Sequence, residues 1–146
     1  MSTPEDVTAH VRAMVPVLAT MGLEVVEAER TRVAARIPSE PNSNHVGTTY
    51  AGCLFSVAEV LGGVFASTSL VLEGTVPLVK QLTIDFLRPA TTAVTARARL
   101  TEETIARVLA ETEAHGKADF ELETEVSDEH GTLVARTRAT YQLRRL

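Results

Sequence analysis

The sequence predicts an α+β fold in which one antiparallel β-sheet wraps around a long central helix. Three observations predict it. The segment from Gly52 to Ala66 is almost uniformly small and apolar, several other segments alternate apolar and polar residues, and the last two of these can pair with opposite charges facing each other. A helix apolar on nearly every face must be enclosed, and a row of half-buried strands can enclose it. With 146 residues the chain is long enough for one hydrophobic core, so we expect a single domain over 1–146 whose first 22 residues form a cover helix.

The elements follow in chain order. "STPEDV" is a helix start, with Ser2 or Thr3 as N-cap, Pro4 in the first turn, and Glu5 and Asp6 beside the positive end of the helix dipole. Val7, Val11, Met14, Val15, Leu18 and Met21 recur at helical spacing until Gly22 stops them. From Leu23 the period shortens towards two, giving strands over about 23–29 and 31–37 before "PSEPNSN" forces a loop. Thr48 or Thr49 is expected to cap the long helix, which runs to about Ser69.

The remaining elements supply most of the wrapper. Leu78, Leu82, Ile84 and Phe86 alternate with Val79, Gln81, Thr83 and Asp85. After "RPATT", Val94, Ala96, Ala98 and Leu100 alternate with Thr95, Arg97, Arg99 and Thr101. "TEETIARVLAETEAHG" returns to helical spacing between Thr101 and Gly116, with Ile105, Val108 and Leu109 on one face. Phe120, Leu122 and Val126 then alternate with glutamates, "SDEHG" turns, and Leu133, Ala135, Ala139 and Tyr141 alternate with polar residues. Pairing Ser127 with Thr132 sets Glu121 against Arg138 and Glu123 against Arg136, whereas a slip of one residue would bury the charges.

Composition excludes several classes of function. Formal charge is -5 and the arginines are scattered, so the electrostatic footprint of a nucleic-acid binder is missing. The single cysteine, Cys53, excludes an intrachain disulfide, and "MSTPEDVTAH" lacks the pattern of a secretory signal, which makes a cytoplasmic location the expectation. Ser56 and Glu59 interrupt the longest apolar run, so no membrane span is expected. No His, Cys or carboxylate spacing resembles a metal site, and no cofactor is expected. Aromatic residues make up only 4% of the chain, which favours an aliphatic over an aryl ligand because few rings are available to stack on one.

Glu59 is the residue that demands an explanation. An ionised carboxylate in an apolar segment costs several kcal/mol unless it is paired. It is either half of a buried ion pair with an arginine or a general base or nucleophile tuned by its surroundings.

The segment from Asn44 to Glu59 reads N-x-x-G-T-x-x-A-G-x-L-F-x-x-A-E. In this it resembles the hotdog-fold thioesterase superfamily, specifically the phenylacetate-pathway thioesterases and their bacterial relatives of unassigned substrate, among them the DUF4442 type. The resemblance covers about 110 residues, from this loop to the C-terminus. It implies a hotdog fold, thioester hydrolysis, and sites shared between the subunits of a homodimer or homotetramer. In those enzymes a loop Asn, a His-Gly-Gly at the helix start and an acid further along the helix form the site. Asn44, Tyr50-Ala51-Gly52 and Glu59 occupy these positions, with Tyr50 in place of the His and Glu59 one methylene longer than the usual Asp.

The implied reaction needs an attacking water or carboxylate, oxyanion donors, and a site shielded from bulk water. We expect Glu59 to activate the water or attack directly, and the N–H of Ala51 or Gly52, at the helix start, to hold the oxyanion. Asn44 either orients the water or thioester or caps its own turn. Tyr50 is either a donor or an apolar wall, and His45, Thr49, Phe55 and Arg88 complete the expected substrate contacts. Arg88, Arg97, Arg99 and Lys80 fit either coenzyme A phosphates or a solvated strand face. A thiol nucleophile at Cys53 lacks a correctly spaced base, and no His follows Val46 before His115, which argues against a hydratase. The contrasting reading is a non-catalytic hotdog module that binds an acyl thioester or drives oligomerisation.

Overall fold

A computed structural model describes residues 2–146; Met1, which the expected cover helix included, lies outside them. The N-terminal segment forms two helices instead of one. In α1 (Pro4–Met14) the Thr3 hydroxyl accepts from Asp6 N at 3.1 Å while the Asp6 carboxylate accepts from Thr3 N at 3.2 Å, a reciprocal cap. Pro16 has no N–H to continue the ladder, so the chain breaks at Val15 and restarts as α2 (Pro16–Thr20). Val7, Val11, Leu18 and Met21 are buried as expected, but the break leaves Met14 and Val15 exposed.

Strands β1 (Glu24–Ala28) and β2 (Arg32–Ile37) lie close to their expected positions. The central helix α3 (Ala51–Ala66) begins and ends later and earlier than expected. Neither Thr48 nor Thr49 caps it. Thr48 N donates to the Asn44 side chain and Thr49 N to Ala90 O, so both belong to the preceding loop, and Tyr50 takes the N-cap place with no side-chain bond. Leu54, Val57, Ala58, Leu61, Val64 and Phe65 are buried. Gly52, Ser56, Glu59, Gly63 and Ala66 form a strip that is only half-buried, so the helix is enclosed on all sides but one.

The sheet is completed by β3 (Thr75–Phe86), β4 (Val94–Arg99), β5 (Lys117–Asp128) and β6 (Leu133–Arg145), in the order β1-β2-β4-β5-β6-β3 with every neighbour antiparallel. Helix α4 (Glu102–His115) runs from the Thr101 cap to a left-handed Gly116 and buries Ile105 and Val108 against β5 and β6. The architecture is the expected one, a six-stranded antiparallel sheet with α3 against its inner face.

Two registers differ from expectation. Across β5 and β6, Glu123 pairs with Arg138 and Glu125 with Arg136, two residues away from the expected pairing, and Ser127 faces Leu133 instead of Thr132. A shift of two preserves the faces, so Phe120, Leu122 and Val126 remain in the core. In β3 a bulge at Lys80 places Val79 opposite Tyr141 and Leu82 opposite Ala139. The alternation therefore flips there, and Val79, not Leu78, shares a face with Leu82, Ile84 and Phe86.

Candidate functional site

The loop before α3 fixes the start of the helix through an asparagine that sequence reasoning passed over. Asn42 is buried; its side-chain amide donates to Met21 O at 2.8 Å and Pro38 O at 2.9 Å, and its backbone carbonyl accepts from Tyr50 N at 2.8 Å. The only signal for it was a second Asn in "PNSN". Asn44 closes its own turn: its carbonyl oxygen accepts from Val46 N and Thr48 N, and its amide donates to Thr48 Oγ1 at 2.9 Å. Its polar atoms are thus engaged in the loop that presents the helix start.

At that start no acceptor among the described residues meets the N–H of Ala51 or Gly52, while the next two N–H groups bond Tyr50 O. These unpartnered donors carry the positive end of the helix dipole. Tyr50 is 58% exposed and its ring lies so close to Gly52 that a Cβ there would sit 2.6 Å from Cε2. His45 and Phe55 are also exposed, whereas Thr49 is buried, with an Oγ1 that meets no partner.

Glu59 lies two turns further along the same strip of α3, roughly 10 Å from Gly52 at about 1.5 Å per residue. It lines a cleft of about 570 Å³ walled by α1 and α2, the half-buried strip of α3, and the first half of β3. Burial pushes its carboxyl above the usual carboxylate range. No arginine lines this cleft: Arg12, on α1, donates to Leu23 O at 2.8 Å, and Arg30, Arg36 and Arg107 pair with Glu102, Glu129 and Glu111. Among the described residues none forms a salt bridge or side-chain hydrogen bond with Glu59.

Tyr141, also missed in the sequence, stands beside it. Its hydroxyl donates to Glu59 O at 2.8 Å, and its ring stacks on Phe120 with centroids 5.3 Å apart. Burial, and then the negative charge of Glu59, raise the phenol well above its ordinary value, so it remains a proton donor. The ring passes over Gly62, where a Cβ would lie 2.2 Å from Cε1; the Gly62-Gly63 pair in the sequence was the available signal for such a close approach.

The other candidates lie elsewhere. Cys53 points at Asn42 Oδ1, 3.5 Å away, and burial pushes its thiol up, which disfavours the thiolate. Arg97 and Arg99 lie on the outer sheet face among Glu121, Glu123 and Glu125, Lys80 pairs with Asp119 at 2.7 Å, and Arg88 is exposed beyond β3. Among the described residues no three His, Cys, Asp or Glu side chains converge as metal ligands.

A helix wrapped by this sheet, with an acid on its open strip and unpartnered donors at its start, defines a hotdog-fold protein of thioesterase-like architecture. The chain belongs to the family described as "Domain of unknown function (DUF4442)", which matches residues 4–143. It is similar to a Pseudomonas aeruginosa protein of unknown function described as a probable thioesterase, with 36% identity, a TM-score of 0.88, and coverage of 98% of this chain and 96% of that one. A protein of unknown function from Chlorobaculum tepidum is 19% identical with a TM-score of 0.84, covering 99% and 98% of the two chains. A thioesterase from Haemophilus influenzae is 20% identical with a TM-score of 0.78, covering 100% of this chain and 93% of that one. The last two likenesses show the fold alone. No curated protein matches the chain.

Proposed function

We propose that the protein is an acyl-CoA thioesterase that works as a homodimer in the cytoplasm. The observation that carries the reading is Glu59, an acid without a cation beside it, on the wall of an apolar cleft. Such a carboxylate is held closer to neutral pH, where it accepts a proton more effectively than an exposed one. In the reaction, Glu59 takes a proton from the water that attacks the thioester carbonyl, or attacks the carbonyl itself and is released by water. The N–H groups of Ala51 and Gly52 hold the oxygen as it gains charge. Because they lie roughly 10 Å from Glu59 along the same helix at about 1.5 Å per residue, the acid and the donors of one site come from different subunits of the dimer. Collapse of the tetrahedral intermediate expels the thiol as a thiolate, and with a pKa near that of cysteine, about 8.5, it leaves without a dedicated acid. Asn44 acts by fixing the turn that presents the helix start. Tyr50, Phe55, His45 and Arg88, all exposed, are proposed as contacts of the coenzyme A end of the substrate, outside the lining of the cleft that holds Glu59.

One observation favours a second reading, a non-catalytic module that binds acyl thioesters: the Tyr50 ring covers Gly52, one of the proposed donors. Release of free thiol from a panel of short, medium, long and aryl acyl-CoAs, with wild type and Glu59→Gln side by side, separates the two. We expect turnover by the wild type and at least about a hundredfold loss in the variant, the scale of removing a general base. Undiminished hydrolysis by the variant would sink the assignment of Glu59, and binding without product would favour the second reading.

A further inference from the structure

Gly63 has no reason within the chain to be glycine. It lies inside α3, where glycine is destabilising relative to alanine, and it is not among the glycines with positive φ. A Cβ built on it meets nothing within 4 Å, in contrast to neighbouring Gly62, which Tyr141 requires. What a side chain at position 63 would occupy is space in the cleft that holds Glu59.

The walls at that level are aliphatic: Val60 and Ala66 on α3, Met14 and Leu18 on the N-terminal helices, Val76 and Val79 on β3. Of the two aromatic rings that line the cleft, the His10 imidazole and the Tyr141 phenol, Tyr141 is stacked on Phe120 and covers Gly62, leaving little aromatic surface for an aryl group. Glu59 lies towards one end of the helix strip that lines the cleft and Ser67 at the other, eight residues on, a run of roughly 12 Å at about 1.5 Å per residue.

We infer that this cleft takes an unbranched aliphatic acyl chain of about eight to twelve carbons, laid along α3 from Glu59 towards Ser67 over the floor left open by Gly63; an extended chain advances ~1.2 Å per bond. The inference rests on the proposed thioesterase reading, and adds to it the substrate class and the residue that sets chain length. Gly63 is a positioning element for the acyl tail and takes no part in the chemistry.

The test uses straight-chain acyl-CoAs from butyryl to hexadecanoyl, with phenylacetyl-CoA alongside, on wild type, Gly63→Ala and Gly63→Leu. Binding of the matching S-alkyl-CoA thioethers, which cannot be hydrolysed, is measured by calorimetry on the same proteins. For the wild type, kcat/KM and thioether affinity should climb up to about fourfold per added methylene, then level off near decanoyl. In Gly63→Leu the break moves several carbons shorter and the dodecanoyl-to-butyryl ratio falls at least tenfold, with Gly63→Ala shifted in the same direction by less. If Gly63→Leu does not fold, as judged by circular dichroism and its melting curve, the Gly63→Ala ratio decides. A profile indifferent to position 63, or a wild-type preference for phenylacetyl over decanoyl, overturns the inference even if hydrolysis is robust. Absent turnover with thioether binding that is graded by length and curtailed in Gly63→Leu removes the hydrolase reading and keeps the cleft assignment.

Discussion

Two adjacent glycines in α3 carry opposite expectations. Gly62→Ala pushes a methyl into the Tyr141 ring, which is fixed by its hydrogen bond to Glu59 O and its stacking on Phe120. Overpacking of this kind costs about 1–3 kcal/mol, and urea unfolding should show it, whereas Gly63→Ala should gain several tenths of a kcal/mol from helix propensity. The pair was visible in the sequence as a signal of close approach, but its partner was not, because Tyr141 lies on a strand at the far end of the chain. Glu59 was legible for the reason that makes it costly, a lone acid in an apolar run. Burial favours its neutral form, so its folded-state pKa lies above that of the unfolded chain. The folded state therefore retains the proton where the unfolded chain has released it, and stability falls as pH rises from the ordinary Glu value, about 4.3, through the raised pKa. Glu59→Gln lacks this loss. In paired urea titrations it should exceed the wild type in stability at pH 8, with the gain shrinking towards pH 4. A gain equal at both pH values would show that Glu59 titrates normally.

At the scale of elements, the sequence revealed the faces better than the boundaries or registers. The β5–β6 hairpin was expected to be set by charge pairs, yet the observed pairs differ from the expected ones by two residues while the same side chains remain buried. The turn explains the offset. Asp128 Oδ1 accepts from His130 N and Thr132 N, Gly131 takes a positive φ, and a bulge between Val126 and Ser127 absorbs a residue, none of which alternation reveals. The Glu123–Arg138 pair is 3.6 Å long and more than three-quarters exposed, so Arg138→Ala should cost less than about 1 kcal/mol. Leu122→Ala, at a buried position on the same strand, should cost about 2–5 kcal/mol. Denaturant midpoints of the two variants compare burial with charge directly, and equal losses would contradict burial as the determinant of register. In β3 the period-two pattern was read straight through Lys80, because a bulge changes the phase of the alternation without interrupting it. The break at Pro16 was legible as a residue and was overlooked because apolar spacing continued on both sides of it.

For the whole molecule the free edges of the sheet matter most. One edge is β1, only 5 residues long; the other is β3, with 12. Long edge strands are normally blunted by charge, proline or a bulge. Pro77 and the Lys80 bulge blunt only the first half of β3, and the run from Gln81 to Phe86 keeps regular pairing to β6 with its other edge open. Leu78 and Val79 near its start and Phe86 and Leu87 at its end are exposed, apolar surface on both faces of the strand that a second copy can cover by pairing β3 to β3. Such a pairing would also bring a second chain to the β3 side of the cleft that holds Glu59. We expect sedimentation to give twice the 15.7 kDa chain mass for the wild type and a large shift towards 15.7 kDa when Phe86 and Leu87 are both replaced by Asp. If the site is shared, thiol release should fall together with the dimer fraction as either protein is diluted. A monomeric wild type that turns over acyl-CoA at a rate independent of its concentration would instead place the whole reaction within one chain and leave the β3 edge without a partner.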